Sequence, residues 1–165
     1  MSNQVLYNMI AARDARGKKY FHYACEVGSP SLLVRVGAFF PIDFRHLLEV
    51  HDYGGSQPIH VAVNKHAGPV AVDIIEELIE MGANVDGKDR LGGDTVLHIA
   101  VHNSDYHLAG WLCKQQNITI NALNYARQTP YDLAWNKGDK TMMKILEDHG
   151  AETEPIFGPC SDDSN

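Results

Sequence analysis

The stretch Gly93-Asp94-Thr95-Val96-Leu97-His98-Ile99-Ala100-Val101 decides the fold, because it is one copy of a pattern that recurs along the chain. Its centre, Val96-Leu97-His98-Ile99-Ala100, aligns with Tyr20-Phe21-His22-Tyr23-Ala24 and with Pro58-Ile59-His60-Val61-Ala62. A fourth copy, Pro130-Tyr131-Asp132-Leu133-Ala134, carries Asp where the others carry His. Between aligned positions 22, 60, 98 and 132 the spacings are 38, 38 and 34 residues. Five residues upstream of each lie Gly17, Gly55, Gly93 and Arg127, and eight upstream lie Asp14, Asp52, Arg90 and Asn124. Asp89 misses the aspartate position by one, so Gly92-Gly93 marks a one-residue insertion in the third copy. A match at several positions in four copies signals a stacked-repeat architecture.

Each part of the pattern has a physical role. Glycine supplies the positive φ of a tight hairpin turn. Thr95 and Thr129 are placed to cap a helix N-terminus, and Pro58 and Pro130 suit a first helical turn. The apolar position before the histidine and the alanine after it face neighbouring helices, and alanine lets two helices approach closely. A second helix follows in each copy. In the second it starts at Pro69, buries Val70, Ile74, Ile75, Leu78 and Ile79 at helical period, and stops at Gly82. In the fourth, Met142, Met143, Ile145 and Leu146 follow Gly138-Asp139. The first copy has Leu32, Leu33, Val34 and Val36 after Ser29-Pro30, and the third has Leu108, Trp111 and Leu112. Lys19 and Gln57 stand where threonine would cap, each at a loss of about 1 kcal/mol. The fold class is therefore all-α, a solenoid of about four helix-turn-helix repeats (14–51, 52–89, 90–123 and 124–151) joined by short hairpin loops. Val5, Leu6, Met9 and Ile10 in residues 1–13 form an amphipathic helix that covers the open end, as a terminal cap must. Residues 152–165 read as a disordered acidic tail. The lengthened connections fall near residues 37–46 and 65–68.

Composition narrows the function. A hydrophobic fraction of 44% supports a packed core. No run approaches the roughly 18 apolar residues of a membrane span, and Met1-Ser2-Asn3-Gln4 opens no secretory signal, so an intracellular chain is expected. Cys25, Cys113 and Cys160 are widely spaced and odd in number, which suits free thiols in a reducing compartment. The net charge of −7 argues against direct nucleic-acid binding. Residues 51–165 hold eight Lys/Arg against seventeen Asp/Glu, an acidic balance that could steer a basic partner. His22, His60 and His98 occupy one repeated position, where each ring bonds a hairpin backbone, and rings one repeat apart point into separate turns. No metal site follows from them, nor from His102 and His107, which lack a nearby thiolate at zinc-finger spacing. No phosphate loop or nucleophile elbow occurs, and no cofactor or catalytic residue is assigned.

The repeat period, near 33 residues with Thr-Pro-Leu-His-x-Ala as its signature, resembles that of ankyrin repeats over about residues 14–151. Within that class, Gly93 to Val101, Gln57-Pro58-Ile59-His60-Val61-Ala62-Val63 and the lengthened first repeats resemble IκB and Cactus proteins, inhibitors of NF-κB/Rel factors. The whole layout most resembles the truncated IκB-like ankyrin proteins (vankyrins) of polydnaviruses. Cellular members carry an N-terminal Asp-Ser-Gly-x-x-Ser phosphodegron, a long acidic tail and six or more repeats. Here residues 1–13 hold no such motif, and Ser161-Asp162-Asp163-Ser164 is only a weak echo of the tail. The resemblance implies a non-enzymatic inhibitor that holds Rel-homology transcription factors in the cytoplasm or nucleus of an infected host cell, suppresses its immune response, and lacks the signal-driven release switch. Ankyrin proteins bind through hairpin tips and the exposed side of the first helix. Here those positions are Arg16, Lys18 and Glu26; Tyr53, Ser56, Asn64 and Lys65; Arg90, Asp94, His102 and Asn103; and Tyr125, Gln128 and Asn136. An alternative of another class is a four-repeat kinase inhibitor or general adaptor, against which the 38-residue spacings count.

Overall fold

The structure, a computed structural model, describes residues 3–39 and 44–153. Among these residues there are ten helices and no strand: α1 (Asn3–Ala11), α2 (Tyr20–Val27), α3 (Pro30–Phe39), α4 (Arg45–Leu48), α5 (Pro58–Lys65), α6 (Gly68–Glu80), α7 (Val96–His102), α8 (Tyr106–Leu112), α9 (Pro130–Lys137) and α10 (Lys140–Asp148). Four of them make a first row, α2 on α5, α5 on α7 and α7 on α9. Their partners make a second row, α3 on α6, α6 on α8 and α8 on α10. The core lies between the rows. Phe21, Leu33, Ile59, Ile74, Leu78, Leu97, Leu108, Leu112, Met142 and Leu146 are shut off from solvent. Each such side chain contributes about 1.5–3 kcal/mol of burial. Ala24, Ala62, Ala100 and Ala134 recur in the first row and are buried, so nothing bulkier separates the helices.

The sequence periodicity places the second-row helices correctly but misplaces part of their faces. Val70 and Val34, expected inside, are exposed, whereas Ala71 and Val72 are buried. The terminal helix also turns otherwise than expected. In α1 it is Tyr7, Ile10 and Ala11, spaced three and four apart, that pack on the core, and Val5 and Met9 face solvent. The side chain of Leu6 and the tail from residue 154 lie outside the described residues. Of the lengthened connections, the first contains α4, whose Leu47 and Leu48 are buried beside Phe44, which meets Phe21 edge-on at 5.5 Å. The second positions His66, whose Nε2–H donates to the Cys25 carbonyl at 2.9 Å and so ties the connection to the preceding repeat.

Each hairpin closes on its own backbone. The N–H of Asp14 donates to the Lys18 carbonyl (3.0 Å), Asp52 to Ser56 (2.9 Å) and Asn124 to Gln128 (3.0 Å). In the third repeat Asp89 closes on Asp94 (3.0 Å), a loop longer by one residue. Asp89, not Arg90, does there what Asp14 and Asp52 do elsewhere: its Oδ1 accepts from the N–H groups of Gly92 and Asp94 at 2.9 and 3.1 Å. Successive hairpins are joined edge to edge by one backbone bond each, Tyr53 to Arg16 (2.9 Å), Arg90 to Gly55 (2.9 Å) and Tyr125 to Gly92 (2.8 Å), naming the N–H donor first. Gly17 and Gly93 are required twice over. Their φ values are +74° and +69°, and a Cβ would lie 2.6 and 2.4 Å from the rings of Tyr53 and Tyr125 above them.

Candidate protein-interaction surface

The three histidines set the geometry on which the surface is built. Their Nδ1 atoms accept from the backbone N–H groups of Lys19 (3.1 Å), Gln57 (3.1 Å) and Thr95 (3.2 Å) at the start of α2, α5 and α7. With Nδ1 an acceptor, Nε2 must carry the proton. It donates 3.0 Å to the carbonyls of Ser56, Gly87 and Gln128, each in the segment that leads into or forms the next hairpin. Burial holds all three rings below the ordinary histidine pKa, as this neutral tautomer requires. In the fourth copy Asp132 accepts from the Thr129 N–H (2.8 Å) and hydroxyl (2.9 Å), while the Thr129 hydroxyl accepts from the Asp132 N–H (3.1 Å). That is a reciprocal capping box. A carboxylate has no proton to extend to a following turn.

The capping expectation for Lys19 and Gln57 needs correction. Thr95 does not spend its hydroxyl on a helix N–H; the hydroxyl meets His98 Nδ1 at 2.9 Å. The first two repeats therefore lack a hydroxyl–imidazole bond and not a helix cap. Gln57 has its own use, as its Nε2 donates to the Glu49 carbonyl at 3.2 Å and anchors the end of α4.

The fourteen contact candidates fall into four groups. Arg16, Tyr53, Arg90 and Tyr125 are exposed along the hairpin edge, and Asn64, His102, Asn103 and Asn136 are exposed on the first-row helices. Lys18, Glu26 and Lys65 are drawn into one ionic cluster, Lys18 Nζ lying 2.8 Å from Glu26 Oε2 and Lys65 Nζ 4.0 Å from Oε1. The lysine hydrogen bond holds the Glu26 carboxyl below its usual range. Asp94 is half-buried, with Oδ1 accepting from Asn124 Nδ2 at 2.9 Å and Oδ2 lying 3.8 Å from His102. Ser56 and Gln128 belong to the turn framework, since their carbonyls receive the histidine protons. Asn103 faces outward, but its Nδ2 also donates to the Val63 carbonyl at 3.2 Å.

Three exposed residues escaped the sequence reading. Leu91 stands seven residues before its motif histidine, as Tyr53 does, and the alignment alone would have placed it beside Tyr53 and Tyr125. Trp135 aligns with Cys25, Val63 and Val101, which are buried; no helix follows α9 in the first row among the described residues, and it is 53% exposed. Arg127 takes the place of the hairpin glycines and holds φ at +59°.

The charge is also arranged otherwise than its sum implies. On α6, Asp73, Glu76, Glu77 and Glu80 recur at helical spacing on the second row, and burial together with the neighbouring Glu80 and Glu76 raises the Glu77 carboxyl. The hairpin segments (13–19, 51–57, 88–95 and 124–129) hold seven Lys/Arg against four Asp, a net of +3 in a chain of −7. The hairpin edge therefore offers no acidic face to a basic partner. Burial pushes the Cys25 thiol up to about 12 and the Cys113 thiol up to about 11, so neither is a nucleophile at neutral pH. Among the described residues no three His, Cys, Asp or Glu side chains are grouped to hold a metal ion, and no helix is long and apolar enough to cross a membrane.

Helix pairs in two rows, joined by hairpins that stack edge to edge, define an ankyrin-repeat protein, and the profile for ankyrin repeats in three copies matches residues 59–155. "I-Kappa-B like protein H1" of Microplitis demolitor bracovirus (isolate Webb) is 36% identical over 148 residues, covering 90% of this chain and 77% of that protein. "I-Kappa-B like protein G2" of the same virus is 37% identical over 131 residues, covering 79% and 77%. The chain belongs to this I-kappa-B-like family of ankyrin-repeat proteins. Its fold is similar to the crystal structure of the ankyrin repeat domain of Bcl-3, described as a unique member of the IkappaB protein family. The TM-score is 0.78 at 28% identity, over 88% of this chain and 61% of that one. The chain thus spans about three fifths of the Bcl-3 domain.

Proposed function

We propose that this protein is a stoichiometric inhibitor that binds Rel-homology transcription factors in a host cell and withholds them from their promoters, so that immune genes stay silent. The observation that carries this reading is the identity with I-kappa-B-like proteins over 90% of the chain. The geometry supplies what such binding needs. Four helix pairs about 10 Å apart give a face roughly 40 Å long, and a face of that length accommodates a specific interface on the order of 1,600 Å². The hairpin edge and the exposed side of the first row, with Tyr53, Arg90, His102, Tyr125 and Asn136, are its contact surface. Capture of a purified insect Rel homology region on the immobilised chain, followed by displacement of that region from labelled DNA in a mobility-shift assay, tests the reading. The absence of both capture and displacement at micromolar concentration would end it.

A further inference from the structure

The hairpin edge carries exposed apolar and cationic side chains side by side. Tyr53, Leu91 and Tyr125 stand on three successive hairpins, Leu91 one residue beyond the place that Tyr53 and Tyr125 hold and Arg90 fills, and are 72%, 78% and 63% exposed. Each lies over the glycine of the hairpin before it: Tyr53 over Gly17, Leu91 over Gly55 and Tyr125 over Gly93. The backbone bonds between hairpins, given by Tyr53, Arg90 and Tyr125, set the three side chains along one edge, with Leu91 next to Arg90. The guanidinium-bearing residues Arg16, Arg90 and Arg127 are exposed along the same edge. Three of the four aspartates of these loops are turned inward, and the fourth, Asp94, is met by Asn124 and His102. Asp14 Oδ1 accepts from the N–H groups of Arg16 and Lys18 at 2.8 and 2.7 Å, Asp52 Oδ1 from that of Ser56 at 2.9 Å, and Asp89 serves its own loop in the same way. Arg127 adds an independent mark. It adopts the left-handed conformation that its three counterparts reach as glycine, which is a strained choice for a side chain with a Cβ.

We infer that this edge is a docking rail for an acidic amphipathic helix of a protein partner, one with apolar side chains every seventh residue. Charge complementarity gives the acidity. The spacing gives the helix. Neighbouring hairpins are separated by about 10 Å, the helix-packing distance, and seven residues of α-helix advance about 10.5 Å. Seven residues are also close to two whole turns, so residues at that interval stay on one face. An extended strand covers about 10 Å in three residues, but residues three apart on a strand point to opposite faces. The partner helix sets one apolar side chain beside each of Tyr53, Leu91 and Tyr125, and its carboxylates meet the arginines. This inference stands apart from the Rel reading, because it concerns the chemistry of the edge and not the identity of the partner.

The test is fluorescence anisotropy on the full chain with two labelled peptides of about three heptads. Both carry Phe at every seventh position, one with Glu and the other with Lys in the flanking positions. The Glu peptide is expected to bind at least about tenfold more tightly, with an affinity that falls as salt rises. The triple variant Tyr53→Ala, Leu91→Ala, Tyr125→Ala alters only exposed side chains, so its helical circular dichroism should match that of the parent while Glu-peptide affinity drops about tenfold. The pair Arg90→Glu, Arg127→Glu should turn the preference toward the Lys peptide. Equal binding of the two peptides, or a triple variant that binds the Glu peptide undiminished, overturns the inference. A chain that binds the Glu peptide through this row yet captures no Rel homology region sinks the sequestration reading alone.

Discussion

The first three repeats and the fourth fill one motif position with different chemistry. His22, His60 and His98 each close the start of their own helix with one ring nitrogen, and with the other His22 and His98 reach the next repeat while His60 holds the segment that leads into it. Asp132 closes its own helix with Thr129 and goes no further. The second row does not share that contrast, since Asp139 caps α10 by accepting from the Met142 N–H at 3.0 Å and also accepts from the Tyr106 hydroxyl of the third repeat at 3.1 Å. Asp105 caps α8 through Oδ1, accepting from the Leu108 N–H at 3.0 Å, and through Oδ2 takes the Gly68 N–H at the start of α6 at 2.7 Å. In α10 the outer positions are Lys144 and Asp148, an exposed ion pair at 3.2 Å, where α8 has Gly110 and Lys114. The first three repeats reach forward from the motif position, and the last is tied back to the third by His98, Asn124 and Lys137 but reaches no further from its own motif position. A histidine in this motif therefore ties its repeat forward, and an aspartate does not.

The hardest blow to that contrast is His60→Ala. It leaves the Gln57 N–H and the Gly87 carbonyl buried without partners, at a cost of about 2–4 kcal/mol, a large part of the roughly 5–15 available to such a domain. Urea unfolding should show this loss, and hydrogen exchange should rise in repeats two and three together. Acid acts on all three inner repeats at once. Burial keeps the rings neutral in the fold, whereas the unfolded chain protonates them near the ordinary value of 6.5. Stability is thus fully present above pH 6.5 and is lost as the pH falls below it, because the unfolded state takes up protons that the fold refuses. Exchange measured at descending pH should loosen the starts of α2, α5 and α7 before that of α9. Thr129→Ala sharpens the contrast from the other side. It removes about 1 kcal/mol, and the added exchange should stay within repeat four. The smallest effect is a gain. Arg127→Gly relieves a positive φ and should raise the urea midpoint by an amount equivalent to about 0.5–1 kcal/mol, while weakening any acidic ligand of the hairpin edge.

The repeat was legible because its helix pattern recurs in four copies and its turn glycine and motif histidine in three, each kept by the same local physics. The histidine position could be read as structural from that repetition, and Asp89 could be seen to be displaced by one residue. The misses share a cause. His66 and its bond to Cys25, and Asp105 and its bond to Gly68, link residues 41 and 37 positions apart, and neither bond recurs in another repeat: Asp139 aligns with Asp105 but takes the Tyr106 hydroxyl in place of a helix N–H. Which face of α1 is buried depends on one neighbour on one side, so an apolar pattern in nine residues left two faces open. Trp135 was hidden because burial at its aligned position comes from the following repeat and not from the residue itself. Composition misled on the site, since a net of −7 describes the chain and not the edge that meets a partner.

The two-handed imidazoles also bear on how the molecule melts. In a linear array, cooperativity is set by how the free energy divides between units and the junctions that join them. Here one side chain contributes to both quantities, so a unit cannot fray without loosening its junction, and a junction cannot slip without unwinding a helix start. His98 carries this coupling into the fourth unit through the Gln128 carbonyl, so all four units share one transition, and only the outer side of the fourth, closed by its own threonine and aspartate, makes no such tie among the described residues.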